Sequence, residues 1–477
     1  MIIGENMNKT KIVATIGSEL QDKTILKKLM LSGVDVFRFD LTYVSFEFCM
    51  DIVDTIKAYR NELKNEVAIM LDTNGPSINV GRLSSGITKL IKGDKIRIYM
   101  DDILGDETKF SVNYPKLIHD VKYGSTMMIN GGKVELQIID KEINYLLCEV
   151  KKSGFIKEND RINIPGIPLN IPFINKKDRD IILFANKIEA DFLALSGVKT
   201  AEDILKVNDL LIEIGNDHLE LLAKIEKAES LREIDEIIRV SDGVVIARSV
   251  LGTEVPIEKV PTLQKNIIHK CHIQGKVSLV SADFLSSMEN EERPTRAEVA
   301  DACSAILDST DGIILTGGVF VGKYPIETVK MLEKIISSAE QEIDYLELLN
   351  VAMKSEGEDV TGAIVHSVID CANRLKVKAI IAPTMSGYTA RKMSRFRPSC
   401  PVLALSPNIK TTRSLSLNFA VRPIKIDEIK SFDEMIELSK EIAYDYLDIK
   451  KGDKIIITGG YPFKKIKHTN FMKIEEL

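Results

Sequence analysis

Residues 219–247 read LELLAKIEKAESLREIDEIIRVSDGVVIA. An apolar run from Leu219 to Ile225 leads into Lys224-Ile225-Glu226, an amphipathic stretch from Ser230 to Val240 follows, and a second apolar run spans Gly243 to Ala247. Strand, helix, strand at this spacing is a βαβ unit, because two parallel strands are joined only through a crossover segment of that length.

The alternation extends in both directions. Apolar or β-branched runs at Lys11 to Ile16, Val34 to Phe39, Val67 to Leu71, Phe192 to Leu195, Val277 to Val280 and Gly312 to Leu315 bring the predicted strands to eight. Amphipathic segments such as Asp22 to Leu31, Ala201 to Glu213, Arg296 to Leu307 and Ile326 to Ile343 fill most of the gaps. Eight such units close naturally into a (β/α)8 barrel.

One gap is too long for a helix. Between Gly81 and Pro165 the sequence turns strand-like, with Lys89 to Tyr99 folding around Lys92-Gly93-Asp94 and Thr126 to Ile139 around Asn130-Gly131-Gly132. This predicts a small β-barrel domain inserted after the third barrel strand. After Glu342, the acidic stretch Lys354 to Val360 marks a boundary. Beyond it, Ala379 to Ala382, Val402 to Leu405, Val421 to Ile424 and Lys454 to Thr458 alternate with helical segments, as in an α/β sandwich domain. The expected division is therefore 1–81 with 166–345 (barrel), 82–165 (lid) and 346–477 (carboxyl-terminal domain).

A chain of 477 residues exceeds a single core, which agrees with several domains. The net charge of -6 offers no global attraction for nucleic acid or an anionic membrane. Cys49, Cys148, Cys271, Cys303, Cys371 and Cys400 form no CxxC pair, so buried thiols are expected rather than a zinc or dithiol site. Met1 to Asn6 lacks the basic start of a signal peptide, and no run of about 20 apolar residues is present, so a cytoplasmic protein is expected.

Barrels of this kind place their chemistry at the carboxyl ends of the strands. Those ends carry Arg38-Phe39-Asp40-Leu41-Thr42, Asp72-Thr73-Asn74-Gly75-Pro76 and Lys224-Ile225-Glu226. Together with Thr10 to Gly17, Ser241 to Gly252, Pro294-Thr295-Arg296-Ala297-Glu298, Gly312 to Pro325, Thr384 to Arg391 and Thr469-Asn470, these segments resemble the pyruvate kinase family over nearly the whole chain.

That resemblance implies phosphoryl transfer from phosphoenolpyruvate to ADP, yielding pyruvate and ATP, with Mg2+ or Mn2+ and K+, in a tetramer. It implies catalytic roles for Arg38 and Lys224, a Mg2+ ligand in Glu226, and a K+ site at Asp40, Thr42, Asp72 and Thr73. Ser196, Thr295 and Arg296 match substrate-pocket positions, and Thr384, Ser386, Gly387 and Thr389 match an effector phosphate site. Each has a plainer reading too. Lys224 and Glu226 also suit a buried ion pair, Pro294 to Glu298 a capped helix start, and Thr384 to Thr389 another. The lysines of Phe463-Lys464-Lys465-Ile466-Lys467-His468 suit a phosphate clamp or a solvated basic turn.

The family pattern is broken at several places. Where the family has a second metal carboxylate, Ala247-Arg248-Ser249-Val250 offers Val250; Ala282 stands for a threonine, Asn79 for an arginine, Asn74 for a lysine, Tyr43 for a histidine and Asp160 for a lysine. Gly197 replaces a phenylalanine, and Gly317-Gly318-Val319 a GET. Each lost electrostatic contact costs roughly 10² to 10³ in rate. Impaired catalysis is expected; Asp283, which should alternate away from position 282, and Ser249, a weak oxygen donor, are the candidates to replace the missing ligand, and neither restores the lost arginine and lysine. Two alternatives remain open: a non-catalytic regulatory or assembly paralogue, homotetrameric or paired with an active partner, that binds phosphorylated metabolites; and a metal-dependent oxo-acid lyase on the same barrel.

Overall fold

Eight short runs whose side chains are almost all buried form the barrel wall: β1 (Lys11–Thr15), β2 (Val36–Asp40), β3 (Ala68–Asp72), β4 (Phe192–Leu195), β5 (Glu220–Ile225), β6 (Gly243–Ala247), β7 (Val277–Ser281) and β8 (Gly312–Leu315). The structure is a computed structural model and describes residues 7–18, 20, 22–167, 171–353, 359–460 and 468–477. Readings that fall on Met1 to Asn6, Lys354 to Glu358 and Phe463 to Lys467 lie outside them.

Each barrel strand pairs in parallel with its neighbour in sequence, and β8 returns to β1. Burial on both faces explains the continuous apolar runs. Val13, Met70, Phe192, Leu222, Val245 and Ile314 fill the inside, while Ile12, Phe37, Leu71 and Ile246 face the surrounding helices. Helices Ala201–Glu213 and Arg296–Leu307 begin and end where their spacing predicts. The segment after β5 differs. Ser230 donates its hydroxyl to the Lys227 carbonyl, so a tight 3₁₀ turn at Glu229–Leu231 comes first and the helix starts only at Ile234.

The inserted segment forms a seven-stranded sheet and a two-stranded one around a separate core that includes Ile96, Phe110, Leu136 and Ile162. Ile78 and Val80 on the entering side, and Ile164 on the leaving side, also pack into this core. Strand Arg161–Asn163 therefore stands directly beside the barrel mouth.

The carboxyl-terminal sheet has four parallel strands, Ala379–Pro383, Val402–Ser406, Val421–Lys425 and Lys454–Gly459, with helices on both faces. A fifth, antiparallel strand at Phe471–Glu476 was not expected from the apolar pattern. It lies at the sheet edge and is half charged, as edge strands often are. Leu417 from this domain belongs to the barrel's internal cluster. Among the described residues the cysteines are free; four are buried and Cys303 and Cys371 half-buried. No described helix is long and apolar enough to cross a membrane.

Candidate active site

The carboxyl ends of β2, β3, β4 and β5 bring their charged residues into one network. Asp40 and Asp72 are register partners across β2 and β3, and Ala194 of β4 pairs with Asp72 on its other side. Arg38 holds both carboxylates, with Nε to Asp72 Oδ1 at 2.8 Å, Nη2 to Asp72 Oδ2 at 2.6 Å and Nη2 to Asp40 Oδ2 at 3.1 Å. Its Nη1 donates to Thr15 Oγ1 at 2.9 Å. Four of the five guanidinium N–H groups are thus used.

Lys224 stands on the opposite side of Asp72. Its ammonium lies 2.9 Å from Asp72 Oδ2, 3.1 Å from Glu226 Oε1 and 2.9 Å from Ser196 Oγ, which uses all three donors. Burial opposes its charge, but Asp72 and Glu226 outweigh that and raise its pKa. Burial alone would also raise the Glu226 carboxyl; Lys224 and Arg161 reverse this and bring it down to about 2. Lys224 and Glu226 are therefore both charged near neutral pH.

Arg161 is the member that strand-end reasoning does not find. It comes from the inserted segment, and its Nη2 lies 3.3 Å from Glu226 Oε2. Alternation along Arg161-Ile162-Asn163-Ile164 is the signal for it: Ile162 and Ile164 enter the core of the inserted segment, so Arg161 and Asn163 face away from it. Asn163 likewise donates to Glu254 Oε1 at 3.0 Å, the carboxylate that Lys227 also binds at 2.6 Å.

Gly197 shapes the floor. Its φ of +73° suits glycine, a Cβ there would lie 2.9 Å from the Pro76 ring, and its N–H donates to Glu226 Oε2 at 3.1 Å. Thr73 accepts from the Ser196 amide at 2.9 Å, and Thr42 donates its amide to Asp40 Oδ1 at 3.1 Å and its hydroxyl to Asn74 Oδ1 at 3.1 Å.

Other singled-out residues serve locally. Thr295 caps its helix, its hydroxyl accepting from the Glu298 amide at 3.3 Å while Glu298 accepts from the Thr295 amide at 2.8 Å. Thr295 and Arg296 are exposed, and among the described residues no hydrogen bond joins them to the Lys224 network. Asp160 closes a turn by accepting from the Lys157 amide at 2.8 Å, and Asn79 donates to the Asn159 carbonyl at 2.9 Å. At Gly317 a Cβ would meet Glu289 Oε1 at 1.9 Å, so that carboxylate fills the space. In the last domain, Thr384 Oγ1 accepts from the Gly387 amide at 3.0 Å, Arg391 donates to the Ser386 carbonyl at 3.3 Å, and Thr389 is buried against Thr469, the hydroxyls 2.8 Å apart.

Comparison with known proteins agrees with this architecture. Residues 7–329 match the family model for the pyruvate kinase barrel domain, and 362–475 that for the pyruvate kinase alpha/beta domain. The chain belongs to the pyruvate kinase family. It is 36% identical over 475 residues to the pyruvate kinase of Clostridium perfringens, covering 99% of this chain and 100% of that one. It is 37% identical to the Sporosarcina psychrophila pyruvate kinase and 36% identical to the Geobacillus stearothermophilus one, covering 98% of this chain and 80% of each relative.

The divalent ion of the pyruvate kinase resemblance does not fit the residues present. Glu226 already accepts from Lys224, Gly197 and Arg161, and half-buried Val250 has no oxygen to give. Asp283 is exposed and faces the Ser249 hydroxyl at 3.4 Å. Among the described residues no three His, Cys, Asp or Glu side chains converge to hold a metal. Asp40, the register partner of Asp72, accepts from Arg38 and from the Thr42 amide, and Thr73 accepts from the Ser196 amide.

Proposed function

We propose that this chain binds phosphoenolpyruvate-like anions at the mouth of the barrel and transfers their phosphoryl group to ADP only slowly. The observation that carries this reading is Glu226, whose oxygens are engaged by Lys224, Arg161 and the Gly197 amide while Val250 supplies no second carboxylate. Phosphoryl transfer depends on cations set around the moving phosphate and on a metal bridging it to the acceptor. Lys224 and Arg38 supply the first requirement; the second is poorly served. Mg2+ or Mn2+ then binds weakly, and K+ neutralises charge at Asp40, Thr42, Asp72 and Thr73.

The same reading gives Ser196 the place of the ligand that yields to substrate, and Thr295 and Arg296 the border of the substrate pocket. It takes residues 82–165 as a lid whose stem is Ile78 to Val80, and 1–81 with 166–345 as the barrel. In residues 346–477, Thr384, Ser386, Gly387 and Thr389 at the start of helix Tyr388–Arg395 form a site for a phosphorylated effector. A cytoplasmic tetramer, by itself or with an active paralogue, completes the proposal.

Coupled pyruvate formation from phosphoenolpyruvate and ADP, with Mg2+ or Mn2+ and K+, tests it. The expected turnover lies at least a hundredfold below that of the Clostridium perfringens relative and above a Lys224→Met control. Turnover within tenfold of that relative would overturn the reading of impaired catalysis. Thermal shifts with sugar phosphates test the effector site, and the absence of any shift would remove it.

A further inference from the structure

The lid arginine and the barrel glutamate meet where a divalent cation would be expected. Arg161 Nη2 is 3.3 Å from Glu226 Oε2, and Glu226 is almost completely buried while Arg161 keeps 28% of its side chain exposed. Among the described residues Glu226 is the one hydrogen-bond partner of the Arg161 side chain, which leaves the rest of its five N–H donors available to a ligand. Arg161 also lines a cleft between lid and barrel with Pro76, Ser77, Lys199, Lys227 and Glu254.

Charge counting shows what Arg161 changes. Asp40, Asp72 and Glu226 oppose Arg38 and Lys224, a cluster one negative charge in excess that would draw in a cation. Arg161 makes the cluster neutral. A planar guanidinium can bond a buried carboxylate with one edge and present its other N–H groups to a phosphate or carboxylate ligand, which is the bridging task a divalent ion performs with its open coordination positions.

We infer that Arg161 stands in for the divalent cation at Glu226, so that the site takes a small phosphate- or carboxylate-bearing anion without metal, and a divalent ion enters only by displacing the lid arginine. This rests on the proposed reading of the barrel mouth as an anion site and deepens it, because it makes anion binding metal-independent and couples it to the lid.

The test is calorimetric titration of the full chain with phosphoenolpyruvate, and separately with inorganic phosphate, in EDTA and in Mg2+. Unmodified protein should bind with dissociation constants that agree within twofold in the two buffers. Arg161→Ala should lose at least tenfold in EDTA and recover at least fivefold in Mg2+, since Glu226 is then open to the ion. Arg161→Lys, which keeps the charge but not the fork, should lose about threefold in EDTA and serves if the alanine variant does not fold. A tenfold gain on adding Mg2+ to the unmodified protein, undiminished binding by Arg161→Ala in EDTA, or no binding in either buffer would each overturn the inference. Rapid turnover in the coupled assay bears instead on the reading of impaired catalysis, so the two failures are told apart.

Discussion

Arg38 grips Asp72 with two arms, Nε to Oδ1 at 2.8 Å and Nη2 to Oδ2 at 2.6 Å, and Lys224 meets the same Oδ2 from the other side at 2.9 Å. One carboxylate, 1% exposed, therefore balances two buried cations. Replacing Asp72 by Ala leaves both without their main counter-charge. The expected loss is about 3–5 kcal/mol, the usual cost of removing one partner from a buried pair. Urea unfolding measures it, and a change below about 1 kcal/mol, the range of surface ion pairs, would mean that water reaches the site.

Restoring the family residues at the metal positions should act only in company with Arg161. Val250→Asp with Ala282→Thr is expected to raise turnover little, because Glu226 remains engaged by the lid. Adding Arg161→Ala should raise it at least tenfold over the double variant, a non-additivity expected of residues that share one site. Coupled assays of the three proteins decide this, and equal rates for double and triple variants would separate Arg161 from the metal question.

Asp311, just before β8, and Arg397 of the carboxyl-terminal domain form a second buried pair, at 2.7 Å and 2.9 Å, each side chain only 3% exposed. Arg397→Leu should destabilise the junction by about 3–5 kcal/mol. In calorimetry the carboxyl-terminal domain should then unfold as an earlier, separate transition. A single unshifted transition would show that Leu417 and its apolar neighbours hold the domains together without the pair.

The same junction should weaken in acid. Burial, followed by the positive charge of Arg397, pushes the His272 ring down to about 3, against about 6.5 in an unfolded chain. Below that unfolded value the unfolded state binds a proton that the folded state refuses, so stability is full above it and falls as pH drops toward the folded value. Asp311, lowered by Arg397 in spite of burial, adds a loss of the same sign at still lower pH. Glu220, raised to about 7 by burial, works the other way. Comparing urea midpoints of unmodified protein and His272→Gln from pH 7.5 to 5 isolates the histidine: the variant should show a flatter decline, and parallel declines would contradict it.

Much of the plan is legible in local pattern. The barrel strands were found within about two residues because a strand buried on both faces must be apolar throughout, a signal that needs no tertiary information. Arg38, Asp72, Lys224 and Glu226 are singled out by strand-end position and Ser196 by the family resemblance, and all five meet in one network. The edge strand Phe471–Glu476 escaped because a half-charged edge carries little of that signal. Arg161 escaped because it lies in the inserted segment and its partner, in the barrel, is 65 residues away.

Sequence alone thus determined the barrel, the inserted sheet and the last α/β domain, since each follows from residue type and local spacing, while the family resemblance marked Val250 as standing where a carboxylate is expected. Tertiary structure decided how the charges that remain are partnered. Whether Glu226 faces a vacant coordination position or a guanidinium depends on where the inserted segment sets Arg161, and distance in space, not order along the chain, governs that interaction.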